Sequence, residues 1–261
     1  MSQERFATAF AKAAGEYERG RPSYPAAALD RLVDELGLDR RSTVVDLGAG
    51  TGKLTRDLLP RFGRVVAVEP LAEMRSELVR RLPEVEALAG TAEELPLAGA
   101  SADAVLVAQA FHWFNGRRAL REIGRVLRPR GGLGLLWNSS PWETREGPWF
   151  AALDDLLEER RVDLATMHRH SSGRWREAFA ADERFEPLLE ATFENTQRLS
   201  REDFIAALSS RSYIAALAEA HRADVLAGIE AMLARGDAPV AGDDVVLPLR
   251  TKVFWTRLRD E

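Results

Sequence analysis

Three glycines separated by single residues follow an acid in the run Val44-Val45-Asp46-Leu47-Gly48-Ala49-Gly50-Thr51-Gly52-Lys53-Leu54. Gly48, Gly50 and Gly52 permit a tight turn and a close approach of backbone to a ligand. The spacing is GxGxG, not the GxGxxG that cradles a pyrophosphate at a helix N-terminus, so nothing obliges this loop to hold phosphate. Asp46, two residues before the first glycine, would repel phosphate and accept hydrogen bonds from an ammonium group. Glu69 follows 19 residues after Gly50, at the end of a second apolar run, Val65-Val66-Ala67-Val68, where an acid suits paired ribose hydroxyls. Both acids and both runs together predict a nucleotide-like cofactor held at the ends of two buried strands.

Those residues need elements to position them. Apolar runs near 43–47, 65–69, 85–89, 103–108 and 132–137 alternate with helical patterns near 52–60, 71–81 and 116–127, the βαβ rhythm of a parallel sheet. The site is expected at the C-terminal edge of the strands, with right-handed crossovers. Pro25 and Gly37 bracket a further helix, Ala26 to Leu36, ahead of the first strand. After Trp137 the rhythm breaks. An acidic helix is expected around Phe150 to Arg161, a short one from Arg174 to Ala180, a strand from Thr192 to Leu199, two helices within 201–234, and a last strand from Val245 to Leu258. Pro248 is awkward inside a central strand, so the ordered ladder is expected to begin after it.

Composition limits the function classes. The chain has 261 residues, 46% of them hydrophobic and 30% charged, an ordinary globular balance that buries a substantial core. No run approaches the roughly 18 apolar residues of a membrane span, and Glu4, Arg5 and Lys12 interrupt the N-terminal segment, so a soluble cytoplasmic protein is expected. Cysteine is absent, which excludes disulfides, thiolate metal sites and cysteine nucleophiles. A net charge of −5 argues against a general nucleic-acid footprint. The segment Arg117 to Arg130 is rich in arginine, but Leu120, Ile123, Val126 and Leu127 form one apolar helical face and leave the arginines on the solvated side. His168-Arg169-His170 is a weak ligand set, and no metal is expected.

The sequence resembles the class I S-adenosylmethionine-dependent methyltransferases. Val44 to Leu54 is similar to that family's first motif and Val65 to Pro70 to its acidic-loop motif. Gly90-Thr91-Ala92-Glu93-Glu94-Leu95-Pro96 matches the adenine-side segment, and Arg128-Pro129-Arg130-Gly131-Gly132 the turn before the fifth strand. Arg21-Pro22-Ser23-Tyr24-Pro25 and Gln109-Ala110-Phe111-His112-Trp113-Phe114 look like the small-molecule subgroup that includes trans-aconitate-type methyltransferases. The resemblance implies an α/β fold, a doubly wound, mostly parallel seven-stranded Rossmann-like sheet with a helical cap. It divides the chain into an N-terminal helical lid segment (1–40), a cofactor-binding core (41–140), a cap insertion (141–190) and C-terminal strands and helices (191–261).

The resemblance also distributes S-adenosyl-L-methionine over the chain. Gly48, Ala49, Gly50, Thr51 and Gly52 take the carboxylate on backbone amides, with Leu54 behind them. Asp46 serves the amino acid portion or orders the loop, and Glu69 takes the ribose hydroxyls. Pro70, Leu71 and Met74 wall the adenine with Thr91 and Ala92, and Glu93 accepts from its exocyclic amine. Ala108 and Gln109 face the methionine portion. His112 lines the cofactor and is the candidate proton acceptor. Tyr17, Arg21, Tyr24, Trp113, Trp137, Asn138 and Tyr213 are candidate substrate residues, and Arg169, Arg174, Arg211 and Arg250 are further cations for a carboxylate acceptor.

The reaction expected is methyl transfer to a small-molecule acceptor, through a carboxylate or hydroxyl oxygen, by in-line displacement. The Asn/Asp-Pro-Pro-aromatic motif of enzymes that methylate exocyclic base amines is absent after the fourth strand. Two alternatives stand beside it, a cofactor-binding protein of the same fold without catalysis and a nicotinamide-dependent oxidoreductase. No nucleic-acid or membrane partner is expected, and the acceptor and oligomeric state are not legible.

Overall fold

A computed structural model describes residues 20–158, 173–209, 214 and 217–260. Tyr17, Arg169, Arg211 and Tyr213, together with His168 and His170, lie outside the described residues. The chain forms two compact units. One comprises Met1–Pro22, Ser139–Thr166 and Glu194–Arg250, and the other Ser23–Asn138, Met167–Phe193 and Thr251–Glu261.

The second unit carries the cofactor motif. Its elements are α1 (Ala26–Glu35), β1 (Thr43–Leu47), α2 (Lys53–Leu58), β2 (Arg64–Val68), α3 (Ala72–Arg81), β3 (Glu86–Leu88), β4 (Ala102–Ala108), a 3-10 turn (Phe111–Trp113), α4 (Gly116–Val126), β5 (Leu127–Ser139) and α6 (Arg176–Ala180). In the other unit lie α5 (Pro148–Glu158), α7 (Arg201–Ser209), α8 (Glu219–Leu233) and β7 (Val240–Ala241). The long strands β6 (Leu189–Ser200) and β8 (Asp244–Arg257) run through residues of both units.

The sheet runs β3-β2-β1-β4-β5-β8-β6, with β7 pairing antiparallel to β8. β1 pairs parallel with β2 and β4, β2 with β3, and β4 with β5. The seven-strand order therefore appears with a two-residue eighth strand added by the β7–β8 turn. The chain winds outward through β1, β2 and β3 and returns to β4, so the direction reverses between β1 and β4. In open α/β sheets, ligands bind at such a reversal.

Period-two alternation explains why helices cover both faces. Val45, Leu47, Val66, Val68, Val105 and Val107 point into a core shared with Leu120 and Ile123 of α4. Their neighbours Val44, Val65, Ala104 and Leu106 point into a second core with Leu29 and Leu32 of α1 and Leu54 and Leu58 of α2. A parallel strand buried on both sides reads as a continuous apolar run. Thr43 and Asp46 are the polar exceptions within β1, and Asp46 is 1% exposed.

Two expectations about strand limits are corrected. β5 begins at Leu127, well before 132, because its first residues pair in register with Ala102 across an irregularity in the ladder. β8 begins at Asp244 and passes through Pro248, which falls on an exposed position of an unbroken alternation. A proline is tolerated where its nitrogen is not required to donate. In the other unit, Trp142, Trp149, Phe204, Val225, Ile229 and Leu247 form a separate core.

Candidate functional site

The glycine loop leaves β1 and turns back under β2. Gly48 and Ala49 both donate to the Val68 carbonyl oxygen, at 2.8 and 3.2 Å, and Gly52 closes the turn on the Ala49 carbonyl at 2.9 Å. All three glycines have positive φ. Gly48 needs to be glycine twice over, since its φ is +73° and a Cβ there would lie 2.8 Å from Ala110 Cβ and 3.4 Å from Phe114 Cζ. At Gly50 a Cβ would meet nothing within 4 Å, so the middle of the turn borders open space.

Glu69 ties this loop to the next. The Gly50 amide donates to its Oε2 at 2.9 Å and the Leu71 amide to its Oε1 at 3.0 Å. The side chain is 5% exposed, and burial raises its pKa, opposed by the two amides. Each carboxylate oxygen thus takes one backbone donor and keeps acceptor capacity for another. Arg75 braces the same corner by donating to the Glu69 carbonyl at 2.7 Å.

Asp46 is more deeply enclosed. Thr55 Oγ1 donates to its Oδ2 at 2.6 Å, while Oδ1 is buried without a hydrogen-bond partner. Burial pushes its pKa up to about 7, opposed by the Thr55 hydrogen bonds. An orphaned buried carboxylate oxygen is costly, and such atoms mark places where a group is still to be received or where ionisation is suppressed.

The adenine-side residues assemble at the ends of β2 and β3. Met74 and Ala92 are buried, whereas Pro70 and Thr91 are exposed. Glu93 is half-buried, and its Oε1 accepts from the Asn115 amide at 2.7 Å, which joins this segment to the start of α4. Leu54 and Thr51 are buried behind the glycine loop.

At the end of β4, Gln109 adopts φ +57°, a left-handed conformation uncommon for a residue with a side chain. Its amide donates to the Leu136 carbonyl at 2.9 Å and its Nε2 to the Asn138 carbonyl at 3.1 Å. Those bonds hold the turn that releases Ala110 and Phe114 toward Gly48. Ala108 precedes it as the last residue of β4.

His112 follows on the 3-10 turn, and its Nδ1 accepts from Trp137 Nε1 at 3.3 Å. Trp137 is 1% exposed and stacks at 4.6 Å from Trp175. It therefore reaches the site through His112 and not through a surface of its own. Trp113 is partly exposed, with its ring 5.2 Å from His112. Asn138 is also buried; its Nδ2 donates to the Ser23 carbonyl at 3.4 Å, and its Oδ1 accepts from Thr251. Tyr24 packs on the α1 core. Arg21 belongs to the other unit, where it lines a small gap with Trp142 and Phe204, and Arg250 there pairs with Glu146 at 3.0 Å.

Beside His112 lies a cavity of about 300 Å³, with Phe114 and Trp175 among its walls and Arg117, Arg174 and Glu177 on its rim. The sequence offered no sign of it, because its walls come from the 3-10 turn, α4 and the start of α6. Arg117 is exposed, as its place on the solvated face of α4 implies, and it also borders this space. No cluster of metal-ligating side chains occurs among the described residues.

The family described as "Methyltransferase domain" matches residues 45–135, from within β1 to within β5. An uncharacterized methyltransferase of Mycobacterium bovis is 39% identical over 250 residues, covering 96% of each chain. The chain belongs to the class I S-adenosylmethionine-dependent methyltransferases. An uncharacterized methyltransferase-like protein of Schizosaccharomyces pombe is 35% identical over 218 residues, 82% of each chain. A solved structure assigned as a type II methyltransferase from Anaeromyxobacter dehalogenans superposes on this methyltransferase with a TM-score of 0.64 at 28% identity, over 92% of this chain and 97% of that one. The nicotinamide-dependent alternative is thereby set aside. Among the described residues, no helix of the methyltransferase is long and apolar enough to cross a membrane.

Proposed function

We propose that the protein binds S-adenosyl-L-methionine at the ends of β1, β2 and β4 and directs its methyl group to an oxygen of a small-molecule acceptor, a carboxylate or a hydroxyl. The observation that carries this reading is Glu69, whose buried carboxylate bridges the Gly50 and Leu71 amides with acceptor capacity to spare for a ribose diol. The open space beside Gly50 suits the close approach of a ligand to the turn. The orphaned Oδ1 of Asp46 fits a partner with a positive charge near it, or a carboxyl that stays protonated until the cofactor's ammonium arrives.

The bound cofactor would supply an electrophilic methyl on a sulfonium, and the acceptor oxygen would form its bond to that carbon as the carbon–sulfur bond breaks and its electron pair returns to sulfur, a hydroxyl acceptor releasing its proton to solvent. The protein's share is to position and to exclude water. Glu69 and the glycine loop fix the nucleoside end. Gln109 and Ala110 fix the backbone where the methionine portion passes. His112, held by Trp137, stands near the acceptor.

The small-molecule acceptor rests on the aromatic segment 109–114 and on the cavity beside it. A net charge of −5 speaks against nucleic acid as a partner, and no membrane surface is proposed. Titration calorimetry with S-adenosylmethionine and S-adenosylhomocysteine tests the reading, with binding of both expected and binding of neither overturning it. If both bind and no methyl transfer occurs across a panel of small carboxylic acids and alcohols, the protein is a cofactor-binding member of the fold without catalysis.

A further inference from the structure

We infer that the side-chain amide of Gln109 binds the methyl acceptor, its oxygen taking the hydrogen bond of a hydroxyl, so that the acceptor is an alcohol or phenol and not a carboxylate. This deepens, and rests on, the reading of the protein as a methyltransferase with its cofactor at the glycine loop.

The amide is oriented by its partner. Gln109 Nε2 lies 3.1 Å from the Asn138 carbonyl oxygen, which can only accept, so the NH2 end of the amide faces Asn138 and the oxygen is left over. Asn138 is itself tied to the Ser23 carbonyl through Nδ2 and to Thr251 through Oδ1, which steadies its own carbonyl. Among the described residues no donor reaches Gln109 Oε1, and the side chain is half-buried, so an incoming group can meet it.

The backbone beneath is held in a costly conformation. Gln109 has φ +57°, in the left-handed region where a glutamine is strained. Its amide donates to the Leu136 carbonyl at 2.9 Å, at the end of the β4–β5 ladder. Glycine would take this conformation without strain, so the side chain here has a use that offsets its cost.

The place of the amide separates it from the cofactor strands. β4 pairs with β1 on one side and with β5 on the other. The cofactor motif stands at the ends of β1 and β2, whereas Gln109 reaches across to Asn138 on β5, on the opposite side of β4. The next residue, Ala110, abuts the glycine loop, since a Cβ on Gly48 would lie 2.8 Å from its Cβ. The amide oxygen is thus close in sequence to the loop contact and on the side from which an acceptor would approach the methyl group.

A hydroxyl donates one hydrogen bond to Oε1 and keeps lone pairs for the methyl carbon. Its oxygen–carbon bond forms as the carbon–sulfur bond breaks, the electron pair goes to sulfur, and the hydroxyl proton passes to solvent. A carboxylate near neutral pH has only acceptor atoms and would set one against the amide oxygen. The methyl ether that forms has no donor and loses this contact.

The test uses the full chain saturated with S-adenosylhomocysteine and three probes: phenol, its methyl ether anisole, and benzoate. Ligand-detected NMR titration should show phenol bound about five-fold more tightly than anisole, the worth of one neutral hydrogen bond, and more tightly than benzoate. Gln109→Gly keeps the left-handed backbone and should abolish the preference for phenol over anisole while leaving the affinity for S-adenosylhomocysteine unchanged. Gln109→Asn, which also tolerates this conformation but has a shorter amide, should reduce the preference and provides the check if the glycine variant does not fold. Equal binding of phenol and anisole, no binding of phenol, benzoate bound as tightly as phenol, or a preference that survives both substitutions overturns the inference. So does a loss of S-adenosylhomocysteine affinity in Gln109→Gly, which would put the amide on the cofactor. Failure of S-adenosylhomocysteine to bind the parent protein would instead strike at the cofactor assignment, so the two failures are distinct.

Discussion

At the ends of β1 and β2 the polar groups are backbone amides and two buried carboxylates, whereas at the ends of β4 and β5 they are indole, imidazole, amide side chains and guanidinium groups. The first region is made from consecutive residues. Asp46 and the three glycines lie in one short run, and Glu69 joins them through a parallel pair in which Asp46 stands beside Ala67 and Leu47 beside Val68. The second is made from residues far apart, such as Trp137 on His112 and Gln109 on Asn138. A backbone-built site presents the same donors whatever side chains surround it, which suits a cofactor common to many enzymes. A side-chain-built site changes with single substitutions, which suits the proposed recognition of one particular acceptor.

The contrast breaks most visibly at Glu69. Glu69→Ala removes the acceptor of the Gly50 and Leu71 amides together with the proposed ribose contact. Hydrogen bonds to a charged group contribute about 1.5–3 kcal/mol each, so calorimetry should find S-adenosylmethionine bound roughly 100-fold more weakly. Retained affinity would mean that the β2 end is not the cofactor end.

Gly48→Ala should rank next, and as a loss of stability. A positive φ and a Cβ 2.8 Å from Ala110 combine at this position. Strain and overpacking of this kind cost about 1–3 kcal/mol, measurable as a lowered Tm. An unchanged Tm would show that the loop and the 3-10 turn are not pressed together.

Asp46 sharpens the comparison through pH. Its pKa rises from 3.8 to about 7 on folding, chiefly by burial, so the folded chain holds a proton that the unfolded chain has released across that window. The group's contribution to stability is full below 3.8 and is lost as pH rises toward 7. Glu69, also raised by burial, acts in the same direction. Asp46→Asn keeps an oxygen for Thr55 and cannot ionise, so the fall of Tm with pH should flatten in this variant. A slope equal to that of the parent protein would refute the buried ionisation.

The smallest effect on folding is expected at Gly50→Ala, about 1 kcal/mol for placing a side chain in the left-handed region with no clash. Its cofactor affinity should fall by more than its stability, because the added methyl enters the space a ligand would use. Equal losses would remove that space from the proposed site.

Much of this molecule was legible in advance, and the reason is local. β1 and β2 read as apolar runs because both their faces are covered, and α4 read as a helix because Leu120, Ile123 and Val126 recur on one side. The tight turn that Gly48, Gly50 and Gly52 permit was legible from residue type, and all three take positive φ. The early start of β5 and the passage of β8 through Pro248 were not legible, since pairing with a neighbouring strand decides both. Gln109 in a left-handed conformation was hidden too, because no rule of residue type places a glutamine there; the bonds to Leu136 and Asn138 do.

By itself, then, the sequence determined the sheet rhythm, the glycine turn, the two acids and the family to which they point, all of which depend on periodicity and short spacings. Only the tertiary structure decided that Asp46 is enclosed with one oxygen unpartnered, that Trp137 donates to His112, and that Arg117 and Arg174 border one cavity. Burial, hydrogen-bond partnership and charge convergence are properties of residues brought together from distant parts of the chain, and no spacing along one strand or helix encodes them.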